Sequence, residues 1–414
     1  MGSSSDSIEA ARAASSWAAS RSAEFERRLK VLVNIDSGVD DPAGREQVAA
    51  LLAGWAREAG CATELVPTPQ GSHLDARLHG NGEGRIVLLG HHDTVFAHGV
   101  AAERPFSSRG GRAYGPGVAD MKGGLLVGLA AIESLARGQR PFASVELHSV
   151  SDEEVRSDAF AELDRLRGAQ AVLVLECGRE NGDLVVGRKT AAWVRLHVAG
   201  RAAHAGTDPQ LGRNAVVGLC REIMRCDALN GAREGLTLVP GTIVGGTLVN
   251  VVPESAEAAV DVRAVSSNDL RWALEEIADL QLGDGLEGSL ELNRAWPGIE
   301  PNPGTQIMFS EVKKLSGALG MSVGGQTSGG VSDGCWTSEV GVPTLDGLGP
   351  VGGRDHSPQE YIALGSVPER CALIAGLCIA IGDGLLSGLV RELDEGASGT
   401  IQGWTYGTSR PAAY

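Results

Sequence analysis

The sequence predicts an α/β protein, a mixed sheet flanked by helices, into which a separate α+β module is inserted. Three observations carry this. Short apolar runs (RIVLL, ASVELHSV, AVLVL) alternate with amphipathic helical stretches before residue 190. Strands buried on both faces read as such runs, and their alternation with helices marks an α/β sheet. At 193–199, WVRLHVA switches to strict alternation, the pattern of a strand with one face in water. After Pro297 the helix–strand rhythm returns.

Taken in order, residues 45–58 place Val48, Leu51, Leu52 and Trp55 on one helical face. A strand over 85–89 leads to His91, and the loop GPGVADMKGG carries Asp120. A helix over 122–137 follows, with Leu125, Leu129 and Ile132 on one side. Strands at 143–150 and 171–175 flank a helical stretch at 158–166. The module reads as a strand at 193–199, a helix at 213–229, strands at 237–250 and 256–264, a helix at 268–280 and a strand at 288–294. Ser267 or Asn268 would cap its second helix. A helix at 305–319, a strand end near 342–346 and a helix at 366–384 complete the outer domain. The expected divisions are therefore 1–188 (first part of the outer domain), 189–297 (inserted module), 298–385 (second part) and a Gly/Ser/Thr-rich tail, 386–414.

At 414 residues the chain is too long for one ordinary core, in keeping with two domains. A net charge of -16 argues against nucleic acid or an anionic membrane as partner. No uninterrupted apolar run reaches the roughly 18 residues of a membrane span, and the N-terminus lacks a basic region followed by an apolar one. Seven Cys, an odd number without a CxxC pair, fit reduced thiols and a cytoplasmic protein. Cys177 reads as a small buried residue.

Function is signalled where the apolar runs end. His91 and Asp93 follow the first run, Glu153 and Glu154 the second, and Glu176 the third. Open α/β sheets bind their ligands outside the carboxyl ends of such strands. With Asp120 and the late His356 these residues form a candidate metal site. Two ions about 3.5–4 Å apart need a bridging ligand, and Asp120 on its Gly-rich loop suits that role. His91 with Glu176, and His356 with Glu154, would complete the two sides. Imidazole and carboxylate suit Zn2+, with Co2+ or Mn2+ as substitutes. Asp93, two residues from His91, is placed to accept the free ring N–H and fix its tautomer. Glu153 and Glu154 are adjacent and point opposite ways in extended geometry. One can ligate while the other faces substrate, which makes Glu153 the general base toward a metal-acidified water.

GHHDTV, GPGVADMKGG, SDEE, Glu176, GRAAHAG, NVVPESAEAAVDVR and RDHSPQEY occur in this order over roughly residues 25–385. The ordered set resembles the dinuclear zinc aminoacylase and carboxypeptidase family, which includes acetylornithine deacetylases, succinyl-diaminopimelate desuccinylases and glutamate carboxypeptidases. The glutamate carboxypeptidase branch is nearest in motif, through DTVF, AYGPGVADMKGG and TSGGVSD. The resemblance implies a zinc-peptidase-like catalytic domain with the module as lid and dimerisation domain, a homodimer, and hydrolysis of an N-acyl amino acid or short peptide. It also implies that His204 stabilises the oxyanion at a second subunit's site, that Asn250 and Arg263 bind the substrate's free carboxylate, and that the Gly329–Gly330 backbone approaches the substrate. Three positions depart from the pattern: Arg156 stands where a Gly is usual, and Asp183 and Trp296 fall near places where glutamate-specific members carry basic residues. An aromatic or apolar leaving amino acid is thereby left open. Two rival readings share the same motifs: a non-hydrolytic binding protein, and an acyltransferase that forms an amide at the same site.

Overall fold

The computed structural model describes residues 4–389, except 39, 139, 155, 157–159, 284 and 301. The tail expected from 386 lies, beyond 389, outside the described residues. The chain divides into two compact units. The first holds the N-terminal part through Gly187 and the later residues, and the second holds Arg188–Glu300 with Gly329–Val331.

The first unit opens with helices α1 (Ser4–Ser20), α2 (Ser22–Val33) and α3 (Pro42–Glu58). Strands β1 (Ala62–Thr68), β2 (Gly71–His79) and β3 (Arg85–His91) follow, then helix α4 (Gly123–Leu135), β4 (Ser144–Val150) and β5 (Ala171–Val174). The chain then forms the second unit: β6 (Thr190–Ala199), α5 (Ala215–Ala228), β7 (Thr237–Gly245), β8 (Ser255–Ala264), α6 (Ser267–Ala278) and β9 (Glu287–Trp296). It returns with α7 (Pro303–Ala318), α8 (Gly334–Glu339), β10 (Thr344–Leu345) and α9 (Val367–Gly382).

The main sheet has the order β1-β2-β4-β3-β5-β10. The pairs β4–β3, β3–β5 and β5–β10 are parallel, whereas β1–β2 and β2–β4 are antiparallel. Every residue of β4 and β5 is buried, as their apolar runs require. His148 in β4 is a core histidine whose ring pairs with Asp75 across the sheet. The parallel strands β3, β4 and β5 all end on one edge, and that edge carries the site.

One feature differs from expectation. The N-terminal helices were not read from the sequence. Ala11, Ala14 and Ala18 of α1 are buried, and a Cβ added at Gly376 of α9 would lie 3.1 Å from the Ala11 methyl. Helix α1 packs through small residues at close range, which leaves no large apolar stripe to detect, whereas α2 buries Phe25, Leu29, Leu32 and Val33 at helical spacing. The segment Leu364–Gly382, which includes α9, has a mean hydropathy of 1.6 over a span-length window, but 72% of that window is buried inside the protein. It is the core helix of this unit.

The second unit is a four-stranded antiparallel sheet, β7-β8-β6-β9. One face packs on α5 and α6 through Val194, Leu196, Val260, Val262, Leu219 and Leu274. The cap of α6 is Ser266, whose side chain accepts from the Asp269 amide, one residue before the expected position. Its extended backbone is what a capping residue needs.

Candidate metal centre

His91 closes β3, and its Nε2 lies 2.9 Å from Asp120 Oδ1 and 3.5 Å from Glu176 Oε1. His356 Nε2 lies 3.0 Å from Asp120 Oδ2 and 3.1 Å from Glu154 Oε1. Asp120 thus offers one oxygen to each histidine, and each histidine is backed by its own glutamate. The donor atoms of His91, Asp120 and Glu176 lie within 4.8 Å of one another, and so do those of Asp120, Glu154 and His356. His91, Asp120, Glu154, Glu176 and His356 thus meet at one place, as two histidine–glutamate pairs around Asp120. Glu153 joins them, its carboxylate within the same 4.8 Å of donor atoms from His91 and Glu154.

The electrostatics fit a cation. Burial opposes charge on His91, yet its hydrogen bonds to Asp120, Asp93 and Glu176 raise its pKa well above the usual value. Hydrogen bonds to Asp120 and Glu154 push His356 up to about 11. The cluster attracts positive charge strongly, and imidazole nitrogens with several carboxylates form a donor set suited to divalent ions. Burial, joined by the carboxylates of Asp333, Glu154 and Glu176, holds Glu153 well above the usual carboxyl range.

Asp93 does more than expected. Its backbone carbonyl lies 3.1 Å from His91 Nδ1, slightly nearer than its own carboxylate at 3.3 Å. The carboxylate oxygens instead accept the amides of Glu153 at 3.1 Å and Glu154 at 2.9 Å. Asp93 is therefore a fully buried anchor for the segment that carries both glutamates.

Two further supports were missed in the sequence. Glu360 accepts from the amides of Gly117, Ala119 and Asp120 at 2.8–3.0 Å, and so holds the loop of the shared aspartate. Burial pushes its carboxyl up to about 7. It lies in the motif that supplies His356, and an acidic residue four positions after a ligand was the available signal. Arg156 forms a fork on Asp333 and reaches Asp152 Oδ1 at 2.7 Å, with its guanidinium 4.5 Å over the Phe160 ring. The departure at Arg156 is thus a buried ionic clamp beside Glu153. Cys177 is buried, with its thiol 3.6 Å from both Asp355 carboxylate oxygens.

The remaining expected residues belong to the second unit and form two groups. His204 is exposed and bridges to Val251, next to Asn250, whose carbonyl accepts the Ala205 amide at 2.9 Å. Arg263 donates to the Gly329 carbonyl at 2.6 Å, and Arg188 donates to the carbonyls of Gly330 and Val331. His204 follows the Ala199 end of β6, which pairs with Ser255. Arg263 sits near the other end of β8, eight residues on, a strand length of about 26 Å.

With this centre and fold, the class of protein is defined: the chain belongs to Peptidase family M20/M25/M40, which matches residues 87–380. It is an enzyme, a metal-dependent hydrolase of the peptidase and deacetylase type. Carboxypeptidase G2 of Pseudomonas sp. (strain RS-16) is 28% identical over 373 residues, covering 86% of this chain and 89% of that protein. A succinyl-diaminopimelate desuccinylase of Xanthomonas oryzae pv. oryzae is 30% identical over 348 residues, covering 78% and 90%. Among solved structures, aminopeptidase PepT from Bacillus cereus superposes with a TM-score of 0.72 at 21% identity, over 85% of this chain and 98% of that one. The metallo-carboxypeptidase Sso-CP2 from Sulfolobus solfataricus gives 0.65 at 15%, over 87% and 99%. At these identities the structural likeness speaks for the fold alone.

Proposed function

We propose that this protein is a dinuclear zinc amidohydrolase that releases an amino acid with a free carboxylate from an N-acyl amino acid or short peptide. The observation that carries this is Asp120, whose two oxygens each meet a different histidine at 2.9 and 3.0 Å. His91, Asp120 and Glu176 would hold one ion, and His356, Asp120 and Glu154 the other, with Co2+ or Mn2+ as alternatives to Zn2+. Ions bound there supply Lewis acidity, which polarises the scissile carbonyl and acidifies water.

The chain's own groups do the rest. Glu153 takes a proton from the attacking water and returns it to the leaving amine. Asp93 keeps Glu153 and Glu154 in register by holding both amides. Arg263 would meet the free carboxylate with the Nη1 and Nη2 hydrogens that its bonds to Gly329 and Asp261 leave over. His204 donates to the oxyanion, and Asn250, its neighbour, contacts the same substrate.

His204 and Arg263 lie near opposite ends of one sheet, which supports a site completed by a second copy. The exposed edge strand β7, with Val239, Ile243 and Val244 between 53% and 72% exposed, supports the same homodimer. The test is metal analysis of the purified protein beside a screen of N-acyl amino acids with and without chelator. About two zinc ions per chain and chelator-sensitive release of an amino acid are expected. A metal-free protein that stays inactive after zinc, cobalt or manganese addition would sink the reading.

A further inference from the structure

The second unit carries an aromatic cluster that the mechanism above does not use. On the sheet face opposite α5 and α6, Trp193 is 45% exposed and packs edge-on against Trp296, ring centroids 4.9 Å apart at 72°. The Arg294 guanidinium lies 4.3 Å from the Trp296 ring and 5.8 Å from that of Trp193. The Trp193 indole N–H donates to Asp261 Oδ2 at 2.8 Å. Asp261 in turn accepts from Arg263, at 2.9 Å from Nε and 3.1 Å from Nη2. A continuous chain of contacts therefore runs from Arg263 to the indole pair.

Register explains the shape. Arg263 on β8 and Trp296 on β9 are both opposite Ala191 of the central strand β6. Asp261 and Arg294 are both opposite Trp193. A register shift between Leu292 and Arg294 turns Arg294 and Trp296 onto this face. Strands lie about 4.8 Å apart, so Arg263 and Trp296 stand about 10 Å apart across a residue that offers only a methyl group. Ala191 between them is covered, at 1% exposed, so this face presents a guanidinium, an indole beside it and a second indole, that of Trp193, which is 45% exposed.

We propose that this aromatic patch is the specificity surface for the leaving amino acid, and that it selects an aromatic side chain. The inference rests on the amidohydrolase reading, through the role of Arg263. A carboxylate at Arg263 puts the side chain of an α-amino acid within reach of the two indoles, whose faces and edges suit another ring. Apolar rings suit an uncharged group. The carboxylate of Asp261, fixed on the Trp193 ring, disfavours an acidic side chain. The Arg294 guanidinium is stacked on Trp296.

The test uses the zinc-loaded full chain. First, kcat/KM is measured on N-acetyl derivatives of L-phenylalanine, L-tryptophan, L-alanine and L-glutamate. Second, binding of free L-phenylalanine, L-alanine and L-glutamate is followed by calorimetry. Aromatic substrates are expected to exceed both others about tenfold or more, and L-phenylalanine to bind most tightly. Trp193→Leu and Trp296→Leu should each cut the phenylalanine-to-alanine ratio about tenfold, with Trp→Phe at either position restoring most of it. Turnover that favours glutamate or alanine would overturn the specificity surface and leave the hydrolase reading standing. Indole-dependent binding of L-phenylalanine without any turnover would support the specificity surface and sink the hydrolase. Neither turnover nor selective binding would overturn both.

Discussion

Removing the Asp93 carboxylate tests how the glutamate segment is held. In Asp93→Ala the amides of Glu153 and Glu154 lose acceptors at 3.1 and 2.9 Å. An orphaned buried donor costs ~1–3 kcal/mol. Both amides are only partly buried and can reach water in the variant, so a total of about 2–4 kcal/mol is expected. By calorimetry this should lower the melting transition of the first unit by about 4–8 °C. Metal affinity should fall only about tenfold, the low end for a supporting residue, because the Asp93 backbone carbonyl still holds His91 Nδ1. Turnover should suffer more, since a displacement of Glu153 by ~1 Å costs on the order of a hundredfold. Asp93→Asn, which keeps one carbonyl oxygen, should fall between the two. A melt within ~1 °C of the parent, with kcat/KM within about threefold, would refute the anchoring role.

Other outcomes follow from the same geometry. Glu153→Gln should retain its metal by elemental analysis while kcat drops about 10²–10⁴-fold, and near-normal turnover would remove Glu153 from proton transfer. Mixing inactive Glu153→Gln with inactive His204→Ala under subunit exchange should restore up to about a quarter of parental activity, because half the pairs are mixed and each has one intact site; no recovery in verified mixed dimers would argue against a shared site. Arg156→Met leaves Asp333, which is 5% exposed, without its fork. A loss of ~3–5 kcal/mol by denaturant titration is expected, and a loss below ~1 would show that the clamp is not stabilising. Burial pushes the His92 imidazole down to about 3 and also lowers His73. The unfolded chain then takes protons near pH 6.5 that the folded chain refuses, so stability is full above that pH and falls below it. His92 alone should cost about 2 kcal/mol between pH 6.5 and 5, and His92→Asn should flatten the curve by that amount; an unchanged slope would exclude it.

The cluster was legible because each of His91, Glu154 and Glu176 follows an apolar strand, and parallel strands ending on one edge bring distant positions together. Asp120 and His356 were legible through motif order, since neither lies at a strand end. What escaped were contacts between chemically ordinary residues. Glu360 takes its meaning from three amides 240–243 positions away, and nothing local announces them. Arg156 and Asp333 are 177 positions apart. Asp93 was placed beside His91, but its hold on Glu153 and Glu154 depends on the alignment of β3 with β4. Small-residue packing hid α1, and Ser266 was missed by one residue because three polar residues in a row all suit a cap.

The two halves of the centre are not equally sealed. The side chain of His91 is 2% exposed and that of His356 54%. An ion held by His356 would therefore face solvent along one flank, while one held by His91 would lie behind the ends of the parallel strands. Exchange should be fast at the first position and slow at the second. Soaking a zinc-loaded protein in cobalt would then yield a hybrid, cobalt outside and zinc inside, which gives the outer position its own spectroscopic label.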